Sequence, residues 1–221
     1  MTFNEMIKKL TNYFDKGSMV VWCGAGISKP SGLPGADDLV KGILENTRLT
    51  EEERNKIANI VPKRLPFERL METILESMDQ VAQMDLLKIF KMGEPNTYHH
   101  FLAQLVKMGK LKTICTTNFD THIEKALNGI GLKNNEDYEI FDEPEKLADI
   151  DWEKNVIRII KLHGSVENLN KMALTIRRIA APGSKKVVSG IVNHVFETGD
   201  HESVIVIGYS FSDRFDISPA I

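Results

Sequence analysis

The sequence predicts an α/β protein built on a doubly wound parallel sheet with a helical insertion. Short, continuously apolar runs such as residues 19–23 and 156–161 are typical of strands that are buried on both faces. Amphipathic helical patterns separate these runs, as expected when helices connect parallel strands. Each strand candidate but one also ends in a turn rich in glycine or polar side chains, where open parallel sheets bind ligands.

The beginning of the chain predicts a helix, a strand and a glycine turn. Residues 3–14 carry apolar side chains at three- and four-residue spacing, which indicates an amphipathic helix. Met19 to Cys23 predicts the first strand, and Gly24-Ala25-Gly26 follows it. Glycines at this place let the backbone approach a phosphate without an intervening Cβ. A plain tight turn is the alternative, because Lys29 occupies the place of the third glycine in a dinucleotide-binding fingerprint.

Residues 50–108 predict a helical insertion between the first and second strands. Thr50 and Glu53 have the spacing of a capping box, and apolar stripes follow over residues 67–78 and 98–106. Methionines in this segment indicate either an adaptable groove or a plain helical core. We expect the segment to form an inserted subdomain or a lid.

The rest of the chain alternates strand and helix patterns. Strands are predicted at Leu111 to Thr116, Tyr138 to Phe141, Val156 to Lys161 and Val204 to Ile207. Helices are predicted from Thr121 to Leu127 and from about Val187 to Phe196. We therefore expect residues 1–221 to form a single domain.

Composition excludes several classes of function. A net charge of −3 gives no electrostatic reason to expect nucleic acid or an acidic membrane as the main partner. The two cysteines, Cys23 and Cys115, cannot build a disulfide framework or a four-cysteine zinc site, and no histidine spacing suggests a metal site. Neither a leader pattern nor a membrane-length apolar run is present, so a cytoplasmic location is predicted.

Four turns collect the residues that can carry chemistry. Because the carboxyl ends of parallel strands meet at one edge, turns that are distant in sequence converge on one crevice. A lone histidine or Asn-x-Asp after a strand is most often a satisfied polar residue or a helix cap, but their convergence with a glycine turn favours a ligand site. The turns are Gly24-Ala25-Gly26, Thr117-Asn118-Phe119-Asp120, His163-Gly164-Ser165 and Gly208-Tyr209-Ser210.

These turns, together with Gly32-Leu33-Pro34, resemble in order and spacing the motifs of the sirtuin superfamily. The resemblance implies a Rossmann-like domain that takes NAD as a substrate and breaks its nicotinamide–ribose bond. It also implies roles by position. Gly24, Ala25, Gly26 and Ser28 would hold the pyrophosphate and adjacent ribose, Asn118 and Asp120 would face the nicotinamide ribose, His163 would be the general base, and Gly208 and Ser210 would contact the adenosine side.

The chain also departs from the protein deacylases of this family. Those enzymes carry a zinc module held by four cysteines, so with two cysteines we expect no zinc module here. The sequence looks closer to the sirtuin-like domains of bacterial antiphage systems, for which the resemblance implies hydrolysis of NAD to nicotinamide and ADP-ribose, depleting the infected cell. The alternatives are an NAD-dependent deacylase or ADP-ribosyltransferase, and a non-catalytic module that senses NAD or ADP-ribose.

The residue types suit this chemistry. Cleavage of a glycosidic bond builds positive charge on the sugar, which nearby carboxylate and amide oxygens stabilise. An asparagine carbonyl can orient the attacking water, and a neutral histidine can accept its proton. We therefore predict Asn118 and His163 as the catalytic pair, the alternative for His163 being contact with NAD without proton transfer.

The chain stops at Ile221, where the family is expected to add a helix and often another domain. We expect it to be part of a longer, homo-oligomeric protein with a sensor or effector domain or partner.

Overall fold

The computed structural model describes residues 2–16, 19–35, 38–39, 41–42, 50–52, 55, 67–173, 181–211 and 217. Within these residues the strands form one parallel sheet in the order β3-β4-β2-β1-β5. The strands are β1 Met19–Cys23, β2 Thr113–Thr116, β3 Tyr138–Phe141, β4 Ile157–Lys161 and β5 Ser203–Ile207.

Helices connect and cover the strands. The α-helices are α1 Phe3–Lys16, α2 Phe67–Glu76, α3 Gln80–Leu87, α4 Thr97–Lys107, α5 His122–Gly129, α6 Pro144–Ala148 and α7 Pro182–Asn193. Short 3₁₀ segments lie at Ala25–Ile27, Lys29–Ser31, Lys88–Lys91 and Val166–Lys171, and a π-helical turn at His194–Thr198 extends α7.

The position of β1 determines where a ligand crevice forms. β1 pairs with β2 on one side and with β5 on the other, so the chain winds away from it in both directions. In such a sheet the crevice opens beyond the carboxyl end of the central strand. The glycine turn after Cys23 therefore lies at the switch point of the topology.

Two hydrophobic clusters cover the two faces of the sheet. Val21 and Cys23 of β1 belong to one cluster, which includes residues of α4 and α5. Trp22 points to the opposite face and belongs to the other cluster, which includes residues of α7. Because apolar side chains leave β1 on both faces, the strand carries a continuous apolar run. The predicted doubly wound α/β fold is confirmed.

The segment between β1 and β2 contains helices α2 to α4. Residues 53–54 and 56–66, and with them Glu53 of the predicted capping box, lie outside the described residues. Leu102 and Val106 of α4 pack into the first cluster, so the end of this segment is a layer of the sandwich. The existence of an inserted subdomain or lid over residues 50–108 stays a prediction. Within the described part of the chain, each helix is too short or too polar to cross a bilayer.

Candidate active site

The glycine turn after β1 packs tightly against the turn after β5. The Gly24 amide donates to the Ile207 carbonyl at 3.0 Å, and the Gly26 amide donates to the Gly208 carbonyl at 2.8 Å. A Cβ at Gly24 would lie 2.6 Å from the Gly208 oxygen, and a Cβ at Gly26 would lie 2.7 Å from the Gly208 Cα. The neighbouring turn therefore requires both glycines, a packing role between two turns that the sequence did not indicate.

Ser28 is the centre of a buried hydrogen-bond network that joins the first two turns. Its Oγ donates to Asp120 Oδ2 at 2.9 Å and accepts from Asn118 Nδ2 at 3.2 Å. His99 Nε2 lies 3.3 Å from the same oxygen. The hydroxyl has one proton, which goes to Asp120, so both Asn118 and His99 must act as donors to Ser28.

His99 reaches this network from the first turn of α4. Its Nδ1 accepts from the Asn96 amide at 3.1 Å, which leaves the proton on Nε2, facing Ser28. Burial, which disfavours the charged imidazolium, lowers the pKa of His99 from 6.5 to about 4 against an opposing attraction from Asp120. His99 is therefore neutral near pH 7. The bond from the Asn96 amide makes His99 part of the cap of α4, and its contact with Ser28 was not predicted from the sequence.

This low pKa gives the fold a pH dependence. Between pH 6.5 and about 4 the unfolded chain binds a proton at His99 that the folded chain does not. The contribution of His99 to the free energy of unfolding is therefore intact above pH 6.5 and is lost as the pH falls toward 4. We expect wild-type protein to lose on the order of 1 kcal/mol more unfolding free energy between pH 7 and pH 5 than His99→Gln. Urea unfolding at both pH values measures this difference. His100→Gln, on the exposed side of α4, is the control, and equal losses in wild type and His99→Gln would refute the assignment.

Asn118 presents one end of its amide to the network and leaves the other end without a partner. Its backbone amide donates to Thr116 Oγ1 at 3.0 Å, which fixes the turn, and its Nδ2 donates to Ser28. Among the described residues, Asn118 Oδ1 is buried with no hydrogen-bond partner. A buried acceptor left unpaired costs about 1–3 kcal/mol and calls for an explanation.

Asp120 is held through both carboxylate oxygens. Oδ2 accepts from Ser28, and Oδ1 accepts from the His122 amide at the start of α5 at 3.0 Å. His122 is buried, and its ring meets the ring of His99 edge-on at 5.2 Å. Asp120 is thus a fixed negative charge beside the network.

A cavity of about 90 Å³ lies against these residues. Its volume exceeds what one water needs and suits one ring-sized group. The polar side of the wall comes from the predicted site, and Leu33, Phe90 and Phe119 supply apolar surface. The predicted site residues that line the cavity are Ala25, Ser28, Asn118 and Asp120.

The remaining predicted residues are not among those that line this cavity. His163 is buried after β4, and its ring lies 6.2 Å from the ring of Phe119, which does line the cavity. Gly208 has φ +66° and abuts the Ile27 backbone, while Ser210 is exposed. The sheet thus brings all four turns to one edge, but only two of them contribute to the cavity wall.

Sequence reasoning also missed a buried ion pair beneath the site. Lys161, the last residue of β4, donates to Glu124 of α5 at 2.7 Å and to the carbonyl oxygen of Asp120. The side chains of Lys161 and Glu124 are 1% and 9% exposed. Their spacing in sequence gave no signal, because the contact depends on how α5 packs beside β4.

The cysteines take no part in the site. Both are buried free thiols, and burial, with a smaller contribution from Asp120, raises the pKa of Cys23 to about 12. A protonated thiol is a poor nucleophile and a poor metal ligand. Over the described ranges, no cluster of three histidine, cysteine, aspartate or glutamate side chains could hold a metal ion.

Comparisons with known proteins show which family this chain resembles. A SIR2-like domain model matches residues 112–218. Over 172 residues the chain is 24% identical to the NAD(+) hydrolase ThsA of Cytobacillus dafuensis, covering 76% of this chain and 31% of that protein. Over 114 residues it is 32% identical to an NAD-dependent protein deacylase of Thermococcus sibiricus, covering 50% of this chain and 37% of that protein.

The similarity extends over part of longer proteins. The chain spans about a third of the length of the curated relatives that it matches. A solved Sir2 enzyme structure aligns with 99% of this chain and 81% of its own, at 20% identity and a TM-score of 0.45. The SIR2-like match over residues 112–218, together with the glycine, Asn-x-Asp and His-Gly turns at one edge of the sheet, supports membership of the sirtuin superfamily.

Proposed function

We propose that this domain hydrolyses NAD to nicotinamide and ADP-ribose. The observation that carries this function is the buried, unpartnered Oδ1 of Asn118, in a residue that also lines the cavity. The amide cannot turn to satisfy this oxygen, because Ser28 requires its Nδ2 as a donor. A substrate hydroxyl or an ordered water donating to Oδ1 would satisfy it, and either partner suits a ribose bound in the cavity.

The proposed reaction needs what this side of the cavity offers. When the bond between the anomeric carbon and the nicotinamide nitrogen breaks, nicotinamide leaves with the bonding electrons and positive charge grows on the ribose. The carbonyl dipole of Asn118 and the fixed charge of Asp120 would stabilise that charge without reorganising. A water held by Asn118 Oδ1 would then attack the anomeric carbon to give ADP-ribose.

We propose that His163 accepts the proton that this water loses. Its place after β4, beside Phe119 of the cavity wall, supports a position near the reacting ribose. If His163 only contacts NAD, His163→Gln would leave the acid limb of the pH–rate profile unchanged. If it is the base, the variant would lose that limb.

The remaining contacts of NAD follow from the two glycine turns. The amides of Gly24, Gly26 and Ser28 already donate within the protein, and the Ser28 hydroxyl donates to Asp120, so the pyrophosphate contacts of this turn would fall mainly to the Ala25 amide. Gly208 and Ser210, at the end of β5, would lie toward the adenosine half. The small volume of the cavity fits the nicotinamide end and not the whole dinucleotide.

Similarity to the NAD(+) hydrolase ThsA supports water as the acceptor, whereas similarity to a deacylase supports an acyl-lysine acceptor. We favour water because the chain has two cysteines, too few for the four-cysteine zinc module of the family's deacylases. We further propose that this domain acts within a cytoplasmic homo-oligomer that depletes NAD during antiphage defence. A sensor or effector partner would trigger it.

Product analysis with and without an acceptor tests this function. Incubation with NAD alone is expected to give nicotinamide and ADP-ribose in equal amounts, unchanged by an acetylated lysine peptide or an added protein. Nicotinamide release that requires the peptide would establish the deacylase alternative, and a labelled acceptor protein would establish the transferase. Tight binding of NAD by calorimetry with no products would establish a sensing module.

A further inference from the structure

We propose that Lys161 is a positioning residue that holds the Asn118–Asp120 turn in its reactive geometry and in register with His163, an inference that rests on the proposed NAD hydrolysis. Lys161 reaches out of β4 and donates to the main-chain carbonyl of Asp120. Its ammonium is neutralised by Glu124 at 2.7 Å. One buried side chain thereby ties the exit of β4 to the exit of β2.

The contacts of the Asn118–Asp120 turn explain why this tie is needed. The side chains of Asn118 and Asp120 are fixed by Ser28 and by the His122 amide, which lie on the glycine turn and on α5. Those bonds do not reach the segment that carries His163; the turn is joined to that segment by the Val166 amide, which donates to the Phe119 carbonyl at 2.8 Å, and by Lys161. The bond from Lys161 acts on the main chain of the turn, and Lys161, the last residue of β4, lies two residues before His163.

The ion pair of Lys161 with Glu124 also affects the electrostatics of the site. A buried ammonium near a sugar that becomes positively charged would oppose the reaction, because the two charges repel each other. Glu124, whose side chain is 9% exposed, cancels that charge. The lysine can therefore act as a rigid donor to the turn without placing net positive charge beneath the site.

The test replaces both members of the pair, because removing one would leave the other buried and uncompensated. Lys161→Met with Glu124→Leu keeps similar volumes, and such apolar replacements of a buried ion pair are commonly tolerated by the fold. Lys146→Met is the matched control, since it breaks an exposed ion pair with Asp142 at 3.0 Å. Circular dichroism and thermal unfolding establish that each variant is folded.

Two readouts separate positioning from general stability. In the double variant we expect hydrogen exchange of the residue 118–122 amides to accelerate about 10-fold or more, with unchanged exchange in α7. We expect kcat for nicotinamide release to fall about 10-fold or more while KM changes less than about 3-fold. The control is expected to match the wild type in both readouts. Lys161→Arg, which keeps a donor, is expected to have an exchange rate at residues 118–122 and a kcat close to those of the wild type.

The outcomes are decisive in either direction. Unchanged exchange at residues 118–122 in the folded double variant would overturn the positioning role, and faster exchange with wild-type kcat would overturn its part in the reaction. If the double variant does not fold, Lys161→Gln with Glu124→Gln, which also removes both charges, decides: exchange that is faster only at residues 118–122, with a lower kcat, supports the role, and wild-type exchange and kcat overturn it. Failure of wild-type protein to release nicotinamide would overturn the proposed function, while the exchange comparison would still decide whether Lys161 holds the turn.

Discussion

Asn118→Ala is expected to lower kcat for nicotinamide release by about 10²–10³-fold, the range found when one preorganised stabilising group is removed from an active site. The variant loses the acceptor that we assign to the reacting ribose or its attacking water. It also loses the donor to Ser28, whose other bonds, to Asp120 and His99, remain. The rate should therefore fall much more than stability does, because the serine stays partly satisfied.

The measurement compares initial rates of nicotinamide release at saturating NAD, with unfolding followed in parallel. Asn155→Ala is the control, because this asparagine is exposed just before β4 and its Oδ1 accepts a hydrogen bond from Lys112 Nζ at 2.9 Å. It is expected to retain the wild-type rate. Wild-type kcat in a folded Asn118→Ala protein would show that Asn118 Oδ1 has no part in the chemistry.

Gly208→Ala is expected to produce the largest loss of stability among single substitutions at the turns, about 3 kcal/mol or more. Gly208 has φ +66°, a conformation that costs other residues about 1–2 kcal/mol. In addition, a Cβ at this place would lie 2.5 Å from the Ile27 nitrogen and 3.0 Å from the Gly26 Cα. These neighbours are backbone atoms, so relief of the clash would displace the glycine turn itself.

Gly109→Ala separates the two causes. Gly109 has φ +70°, close to that of Gly208, and a Cβ there would meet nothing within 4 Å. Only the conformational cost applies at this position, so Gly109→Ala is expected to lower the free energy of unfolding by about 1 kcal/mol. Urea unfolding gives both values. Equal losses in the two variants would mean that the packing between the two turns contributes nothing.

The sequence predicted the sheet well because its strands are short apolar runs bounded by turn residues. β1 and β3 have the predicted bounds, Met19–Cys23 and Tyr138–Phe141. β2 begins at Thr113 and not at Leu111, because its pairing with β1 starts at Val20. Such boundary shifts depend on the neighbouring strand, which a local pattern does not contain.

The turns could be placed at one edge of the sheet, but their contacts could not be foreseen. Parallel topology was enough to bring Ser28, Asn118 and Asp120 together, and they do share a network. His99 joins them from 71 positions away through the first turn of α4, and Lys161 meets Glu124 across 37 positions. The sequence pattern does not reveal these two contacts, because the burial of His99, Lys161 and Glu124 depends on how α4 and α5 pack against the sheet.

The glycines show the same limit. A Gly-Ala-Gly turn after a strand predicts close approach of some backbone or ligand, but not which one. For Gly24 and Gly26 the described neighbour is the Gly208–Tyr209 backbone. A glycine in the sequence therefore predicts a close contact at that position without identifying the group that makes it.

A crystal structure of the domain with carba-NAD, which retains the shape of NAD but lacks the cleavable glycosidic bond, tests the central claim most directly. We predict that its nicotinamide end occupies the cavity lined by Ala25, Ser28 and Asp120. We further predict a ring hydroxyl or an ordered water donating to Asn118 Oδ1 at no more than about 3.2 Å. A complex in which the nicotinamide end lies outside this cavity and Asn118 Oδ1 stays unpartnered would contradict it.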